Sequence, residues 1–510
     1  MKSMDLPAIV SAQKGRGGQN QPIDPTSSEP LSKKVVHASV WVFTLRFTNR
    51  GLGFVRTIIL ARLLAPSDFG LLGIAMLAIS TLETFSQTGF QAALIQKREN
   101  LESYLDTAWT VSVIRGMFLF SVLFFGAPLV AKFFNSPEAT LIIRVIAVTV
   151  LLTGLRNIGI VFFQKELEFN KQFFYEFSAT IVDLSVAVAL AFILRNVWAL
   201  VWGGLAAHCV RVFMSYMVQS YRPRIRFNKA KFHELLGFGK WILGSSILVF
   251  LITQGDDILV GKMLGVTALG LYQMAYLISN LPATEITHVI SQVTFPAYSK
   301  LQDDLPKLRE AYLKVLKLTA FISLPLAGGI FILAQEFTQI FLGAKWMPMV
   351  LVAQVLALAG VARSIAATSS AVFSGIGKPE MNIKWQVLRL VVLVAFILPL
   401  TAKRGIVGAA LAVAISYGAS VFKLVSVAKV IGCEIKALLQ PIWHAAVFTG
   451  AAASITKLIT YMYEVNGIID VLLIASIAIC CYGVTVFFYY TDYAHKLWEY
   501  SSNWGKPFSS

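Results

Sequence analysis

The stretch WVFTLRFTNRGLGFVRTIIL, residues 41–60, is apolar and long enough to cross a bilayer as a helix, yet it carries Arg46, Arg50 and Arg56. Arg46 and Arg50 are four residues apart, about 40° on a helical wheel, so they project from nearly one face. A guanidinium stays charged and presents a planar fork of donors that grips phosphate or carboxylate through two N–H groups. At mid-bilayer such a charge costs from about 2.5 to over 10 kcal/mol, which places both side chains on a polar interior rather than on lipid. Two uses fit that interior. One is an ion pair with Glu83 or Asp183, each near the middle of a later apolar run. The other is an anion cradle, and the two are compatible because the carboxylates leave room for a net positive cavity. Arg56, nearer the end of its run, is a third candidate for the cradle.

Other charges in apolar surroundings extend the candidate set. Arg363 adds a cation to the second half of the chain, with Lys384 and Arg389 following; Lys384 is placed to snorkel to the interface. His208 and Arg211 fall inside one apolar run, where a packed or paired histidine is favoured over a proton relay. In ITQGDDILVGK, Asp256 and Asp257 follow Gly255 and are candidates to bind a coupling sodium ion or proton. Neighbouring carboxylates point about 100° apart on a helix, so only one of them lines a cavity. The phosphate-loop pattern GxxxxGK[ST] is absent, and no catalytic or metal-ligating spacing is present; the four cysteines lie in or beside apolar runs.

The elements that must position these residues follow from composition. Of 510 residues, 56% are hydrophobic and 14% charged, with a mean hydropathy of +0.69, which indicates an all-α protein that crosses the membrane many times. Fourteen apolar stretches stand at 37–60, 69–95, 108–131, 138–163, 173–194, 197–219, 238–260, 266–295, 312–342, 347–375, 384–402, 405–428, 441–460 and 467–490. An even number puts both termini on one side. With the N-terminus inside, inside segments hold about 26 Lys and Arg and outside segments about 8, the asymmetry of a multi-pass inner-membrane protein with cytoplasmic termini. The net charge of +17 therefore signals topology rather than a nucleic-acid partner. Residues 1–34 read as a disordered cytoplasmic tail, 35–220 as an N-terminal lobe and 221–237 as a basic cytoplasmic linker. A C-terminal lobe follows at 238–430, then two added helices at 431–490 and a cytoplasmic tail at 491–510. Within the linker region, YRPRIRFNKAKFHE would be drawn to an anionic leaflet.

The linker divides the chain in half, and the halves repeat. IILARLLAPSDFGLLGIAML (58–77) aligns without a gap on ILVGKMLGVTALGLYQMAYL (258–277), pairing Ile58 with Ile258, Leu64 with Leu264, Gly70 with Gly270 and Ala75 with Ala275. The basic pair Arg62 and Lys262 and the tryptophans Trp41 and Trp241 keep the same offset. Both halves would start on the same side, so the repeat is parallel, with its axis along the membrane normal and a cavity between two bundles.

ARLLAPSDFGLLGIAMLAIS, then GFQAALIQ and DDILVGKMLGVTALGLYQMAYLI, resemble the oligosaccharide flippases of the MOP exporter superfamily, nearest the Wzx-type polysaccharide exporters. The resemblance spans about residues 37–490. It implies a MATE-like fold of two pseudo-symmetric six-helix lobes plus two C-terminal helices. It further implies a non-enzymatic transporter that flips undecaprenyl-diphosphate-linked oligosaccharide repeat units across the cytoplasmic membrane by alternating access, working beside a polysaccharide polymerase and export machinery. By the same resemblance Asp256, Asp257 and Glu285 are coupling candidates for Na⁺ or H⁺, with no other cofactor. An ion-coupled multidrug exporter of the same fold would want a carboxylate in its first helix, where this chain has arginines. A non-transporting scaffold for envelope polysaccharide assembly would need purely structural partners for every mid-bilayer charge.

Overall fold

A computed structural model describes residues 31–86, 102–165, 168–462 and 467–489. Among the described residues the chain is helical and contains no strand. The long helices are α1 (Leu31–Leu63), α2 (Pro66–Phe85), α3 (Glu102–Phe133), α4 (Ala139–Leu155), α5 (Phe169–Leu194), α6 (Trp198–Val218) and α7 (Lys229–Leu264). There follow α8 (Val266–Lys300), α9 (Leu305–Phe337), α10 (Val350–Gly375), α11 (Glu380–Val421), α12 (Lys423–Val430), α13 (Ile435–Met462) and α14 (Ile468–Tyr489). Eight helical segments among the described residues meet both the length and the hydropathy needed to cross a membrane. Among the described residues each apolar stretch overlaps a helix, the eleventh and twelfth both on α11, which is two helices joined end to end. Gly405 breaks it with φ 58° and ψ −139°, a conformation open to glycine and strained for other residues. Gly408 then packs where a Cβ would meet the Leu400 carbonyl oxygen at 1.9 Å.

Several sequence-read boundaries move. The helix α1 begins at Leu31, inside the stretch read as tail; residues 1–30 and 490–510, which hold the rest of both expected tails, lie outside the described residues. The linker is extended only as far as Asn228, and Lys229–Gly237, expected to belong to it, is the start of α7. KAKFHELLG consists largely of good helix formers, so it forms helix although its charges keep it out of an apolar stretch. The second stretch, expected to reach residue 95, is helical to Phe85, and 87–101 lie outside the described residues.

Helices α1–α6 form one lobe and α7–α12 a second, with matching internal packing. In the first lobe α1 packs on α5, α3 on α4 and α2 on α4; in the second α7 packs on α11, α9 on α10 and α8 on α10. Helices α13 and α14 pair with one another and lie against α9. Outward faces carry Phe47, Phe125, Leu129 and Ile193, the apolar surface that lipid would cover.

The lobes meet through α2 against α7 and α8, and the meeting is reciprocal. A Cβ on Gly70 would stand 1.9 Å from the Val266 carbonyl oxygen, and one on Gly270 would stand 1.9 Å from that of Pro66. Gly70 and Gly270, like Pro66 and Val266, are 200 residues apart, so the offset found in the sequence is the symmetry of the contact. Around it, Arg62 Nη2 donates to the Ile340 carbonyl at 2.6 Å, Lys345 Nζ to the Arg62 carbonyl at 2.9 Å and Trp346 Nε1 to the Ala61 carbonyl at 2.9 Å. On the other side Lys262 Nζ lies 5.1 Å from the centre of the Phe133 ring. This clasp closes one end of the molecule.

In the second lobe the ammonium of buried Lys423 donates to Ser370 Oγ at 2.6 Å and Asn382 Oδ1 at 2.8 Å. It sits near the C-terminal end of α10, whose backbone dipole favours a cation.

Candidate functional site

Depth along the first lobe can be counted from the clasp at about 1.5 Å per residue. On that scale Arg46 lies about 26 Å down α1 from Leu63, Glu83 about 26 Å down α2 from Pro66, and Arg115 about 27 Å from Phe133 on α3. Arg156, which caps the end of α4, lies about 26 Å down, Glu176 on α5 about 27 Å, and Arg50 and Arg211 about 20 Å. Six helices thus bring five arginines and two glutamates into one band about 7 Å deep, with Arg50 and Arg211 on its clasp side.

The partners at that level differ in kind. Arg115 Nε donates to the Ser86 carbonyl at 2.9 Å and to Ser86 Oγ at 3.1 Å, and its Nη2 to the Glu83 carbonyl at 3.0 Å. Arg211 Nε is paired with Glu176 Oε2 at 3.3 Å. Arg156 is held by neutral groups, the Tyr175 hydroxyl at 3.5 Å and the Thr153 carbonyl at 3.4 Å. His208 Nδ1 lies 3.4 Å from Thr153 Oγ1, in the setting of a packed histidine. Asn49 of α1 accepts a hydrogen bond from Thr180 of α5 at 3.0 Å, which fixes the rotation of the helix that carries Arg46 and Arg50.

The expected carboxylate partners go elsewhere. Asp183 pairs with Arg56, Oδ1 to Nη2 at 2.9 Å and nearer the clasp, so Arg56 is neutralised rather than held open. Glu83 lies in the last turn of α2 and not mid-helix, because α2 ends at Phe85, and it stands within electrostatic reach of Arg115 and Arg156. Neither carboxylate bonds Arg46 or Arg50. Arg46 is half-buried and Arg50 exposed, and both have contacts of their own.

The second lobe packs its charges against rings, with Asp256 and Asp257 in the last quarter of α7 and Arg363 at the middle of α10. The Tyr272 hydroxyl donates to Asp256 Oδ2 at 2.7 Å, while Asp256 is 2% exposed and its Oδ1 has no protein partner. Asp257, on a different face of α7, stands beside Gln273 and also keeps a buried Oδ1 without a protein partner. Arg363 donates to the Tyr276 hydroxyl at 3.1 Å, and its guanidinium lies 5.5 Å and 4.9 Å from the centres of the Tyr276 and Tyr417 rings. Arg389 covers Tyr417 from 3.4 Å. Arg363, expected on the substrate, is therefore committed to two tyrosines. Lys384 is exposed. Glu285 is on α8, and its side chain lies outside the described residues.

Sequence reading missed Arg115, Arg156, Tyr175 and Glu176. Arg115 was discoverable, since VSVIRGMFLF sets one cation in an apolar run just as residues 41–60 do. Arg156 was not, because a basic residue at the end of an apolar stretch normally marks a membrane boundary.

A family model described as polysaccharide biosynthesis protein matches residues 59–351, more than half the chain. The chain is 27% identical over 361 residues to the lipopolysaccharide biosynthesis protein WzxC of Escherichia coli strain K12, covering 70% of this chain and 73% of that one. It is 26% identical over 299 residues to the teichuronic acid biosynthesis protein TuaB of Bacillus subtilis strain 168, covering 58% and 62%. Among solved structures, the lipid II flippase MurJ in an inward closed conformation matches with TM-score 0.73 at 16% identity, over 90% of this chain and 99% of that one. An inward-facing multidrug resistance MATE family transporter of the MOP superfamily matches with TM-score 0.58 at 17% identity, over 79% and 94%. The chain belongs to the polysaccharide biosynthesis protein family and is a multi-pass membrane protein with the MOP fold seen in those flippase and transporter structures.

Proposed function

We propose that this protein flips oligosaccharide repeat units linked to undecaprenyl diphosphate across the cytoplasmic membrane, with both termini in the cytoplasm. One observation supports the reading: five arginines and two glutamates among the described residues of the first lobe fall in a band about 20–27 Å from the clasp. A diphosphate crossing hydrocarbon needs a counter-charge at mid-passage, and a fixed excess of guanidinium supplies it without a proton transfer. Its polysaccharide-biosynthesis relatives and flippase-like fold support a lipid-linked saccharide as cargo. Arg46 and Arg50 contact the head group, and the lobes rock against one another, with the clasp closed in one state and parted in the other, to expose it first to one side and then to the other. Asp256, through its unpartnered Oδ1, takes the coupling Na⁺ or H⁺. Downstream, the flipped unit passes to polymerase and export machinery.

Replacing Arg46 and Arg50 together by Ala, with membrane insertion confirmed, is expected to reduce delivery of lipid-linked sugar to the outer leaflet at least tenfold, and Lys at both positions restores part of it. Delivery at the unaltered level in the double Ala variant overturns the proposal.

A further inference from the structure

The linker between the lobes is not a loose tether. Residues 219–228 run extended along the first turns of α3, held through the backbone. The Arg224 N–H donates to Asp106 Oδ1 at 2.9 Å and the Arg226 N–H to Thr110 Oγ1 at 3.0 Å. The Tyr221 hydroxyl donates to the same Asp106 carboxylate. Asn157 Nδ2 donates to the Tyr221 carbonyl at 2.6 Å and Gln219 Nε2 to the Gly159 carbonyl at 2.7 Å. The spacing explains the fit: two extended residues advance about 6.6 Å and four helical residues about 6 Å, so Arg224 and Arg226 meet Asp106 and Thr110 in step.

A ribbon bound by its backbone edge turns alternate side chains to opposite faces. One face carries Arg222, Arg224 and Arg226, the other Pro223, Ile225 and Phe227. Arg222 is used locally, its Nη1 donating to the Gln219 carbonyl at 2.5 Å. Arg224 and Arg226 are exposed, and their guanidinium groups bond nothing among the described residues. Ile225 is 81% and Phe227 56% exposed, an unfavourable setting in water.

The position resolves that conflict. Thr110 lies one turn from Ile114 on the face of α3 that continues through the outward-facing Phe118, Phe125 and Leu129. The ribbon therefore covers the end of a lipid-facing stripe on the perimeter of the lobe, level with Trp109, a residue type enriched at membrane interfaces. We infer that residues 222–227 are a preformed seat for an anionic phospholipid, with Arg224 and Arg226 on its phosphate and Ile225 and Phe227 set into the acyl boundary.

The test uses the purified full-length protein in detergent, titrated by native mass spectrometry with phosphatidylglycerol and, separately, phosphatidylethanolamine of the same acyl chains. The unaltered protein is expected to prefer phosphatidylglycerol, and the Arg224→Gln/Arg226→Gln variant to bind it roughly tenfold more weakly while phosphatidylethanolamine is unaffected. Ile225→Ser/Phe227→Ser is expected to weaken both lipids alike. All four side chains are exposed, and thermal melting in detergent checks that the variants are folded. Equal phosphatidylglycerol binding by the Gln variant and the unaltered protein overturns the inference. A third arm with undecaprenyl diphosphate separates the sources of phosphate: if the Gln variant loses that ligand and keeps phosphatidylglycerol, the ribbon is a substrate port and not a lipid seat. The two phospholipid arms do not depend on Arg46 or Arg50.

Discussion

In the first lobe five arginines and two glutamates lie in a band about 20–27 Å from the clasp, and the partners of Arg115, Arg156 and Arg211 are carbonyls, hydroxyls and a single carboxylate. In the second lobe two aspartates meet two arginines among three tyrosines, with the charges in balance. The scaffold is the same, down to Gly70 and Gly270, where an added Cβ would stand equally close, at 1.9 Å, to the facing carbonyl oxygen. What separates the halves, among the described residues, is the ratio of arginine to carboxylate gathered in each. A surplus attracts a ligand of opposite sign, whereas a balanced cluster resists one and instead responds to the arrival or loss of a single small cation.

The sharpest way to break this comparison is at the symmetric contact itself. Gly70→Val and Gly270→Val each force a branched side chain against a backbone carbonyl, with an expected cost of about 3 kcal/mol or more apiece. Thermal melting and cross-linking between cysteines placed at the clasp should report equal losses, and unequal ones would show that the halves are not equivalent there. Next in size is Asp256→Asn, which leaves two arginines facing one aspartate. Transport is expected to lose its dependence on the sodium or proton gradient while undecaprenyl diphosphate still binds; a retained gradient response removes Asp256 from coupling. Tyr417→Leu withdraws the ring that both guanidinium groups share and is expected to lower stability by about 1–2 kcal/mol, read as a shift in melting temperature. In the first lobe Glu176→Gln releases Arg211 and widens the surplus, so undecaprenyl diphosphate should bind up to about fivefold more tightly; weaker binding would mean that Arg211 must be held in place.

The smallest effect lies outside the membrane and outside both clusters. Side-chain and backbone hydrogen bonds from Lys307 hold the Asp304 carboxyl below its usual range. Its contribution to the first turn of α9 is complete at neutral pH and lost as pH falls through that lowered value. Hydrogen exchange of residues 305–308 should quicken on acidification, and no longer do so in Asp304→Asn.

The fold was largely legible because apolar stretches of span length have few alternatives in lipid, and because the 200-residue offset fixed which helices correspond. The arginines of α1 were legible as charges out of place. The belt around them was not: Arg156 and Glu176 stand where ordinary boundary charges stand, and only the stagger of six helices brings them level. The pairing of Asp183 with Arg56 rather than with Arg46 or Arg50 likewise depends on helix rotation, which apolar periodicity leaves undetermined when lipid and protein interior are equally apolar. Glu83 was misplaced because the apolar run continues past Phe85, where helix α2 stops.

Two glycine-to-carbonyl contacts of equal length, one contributed in each direction, also constrain mechanics. A shift of one bundle along the membrane normal would separate the atoms at both points, whereas a small swing about the line joining them leaves both seated. Over helices some 30–50 Å long, a swing of about ten degrees at that pivot would move the far ends by several ångströms, so the closed seam would serve as the fulcrum of an aperture at the opposite surface, and opening on its own side requires both contacts to part.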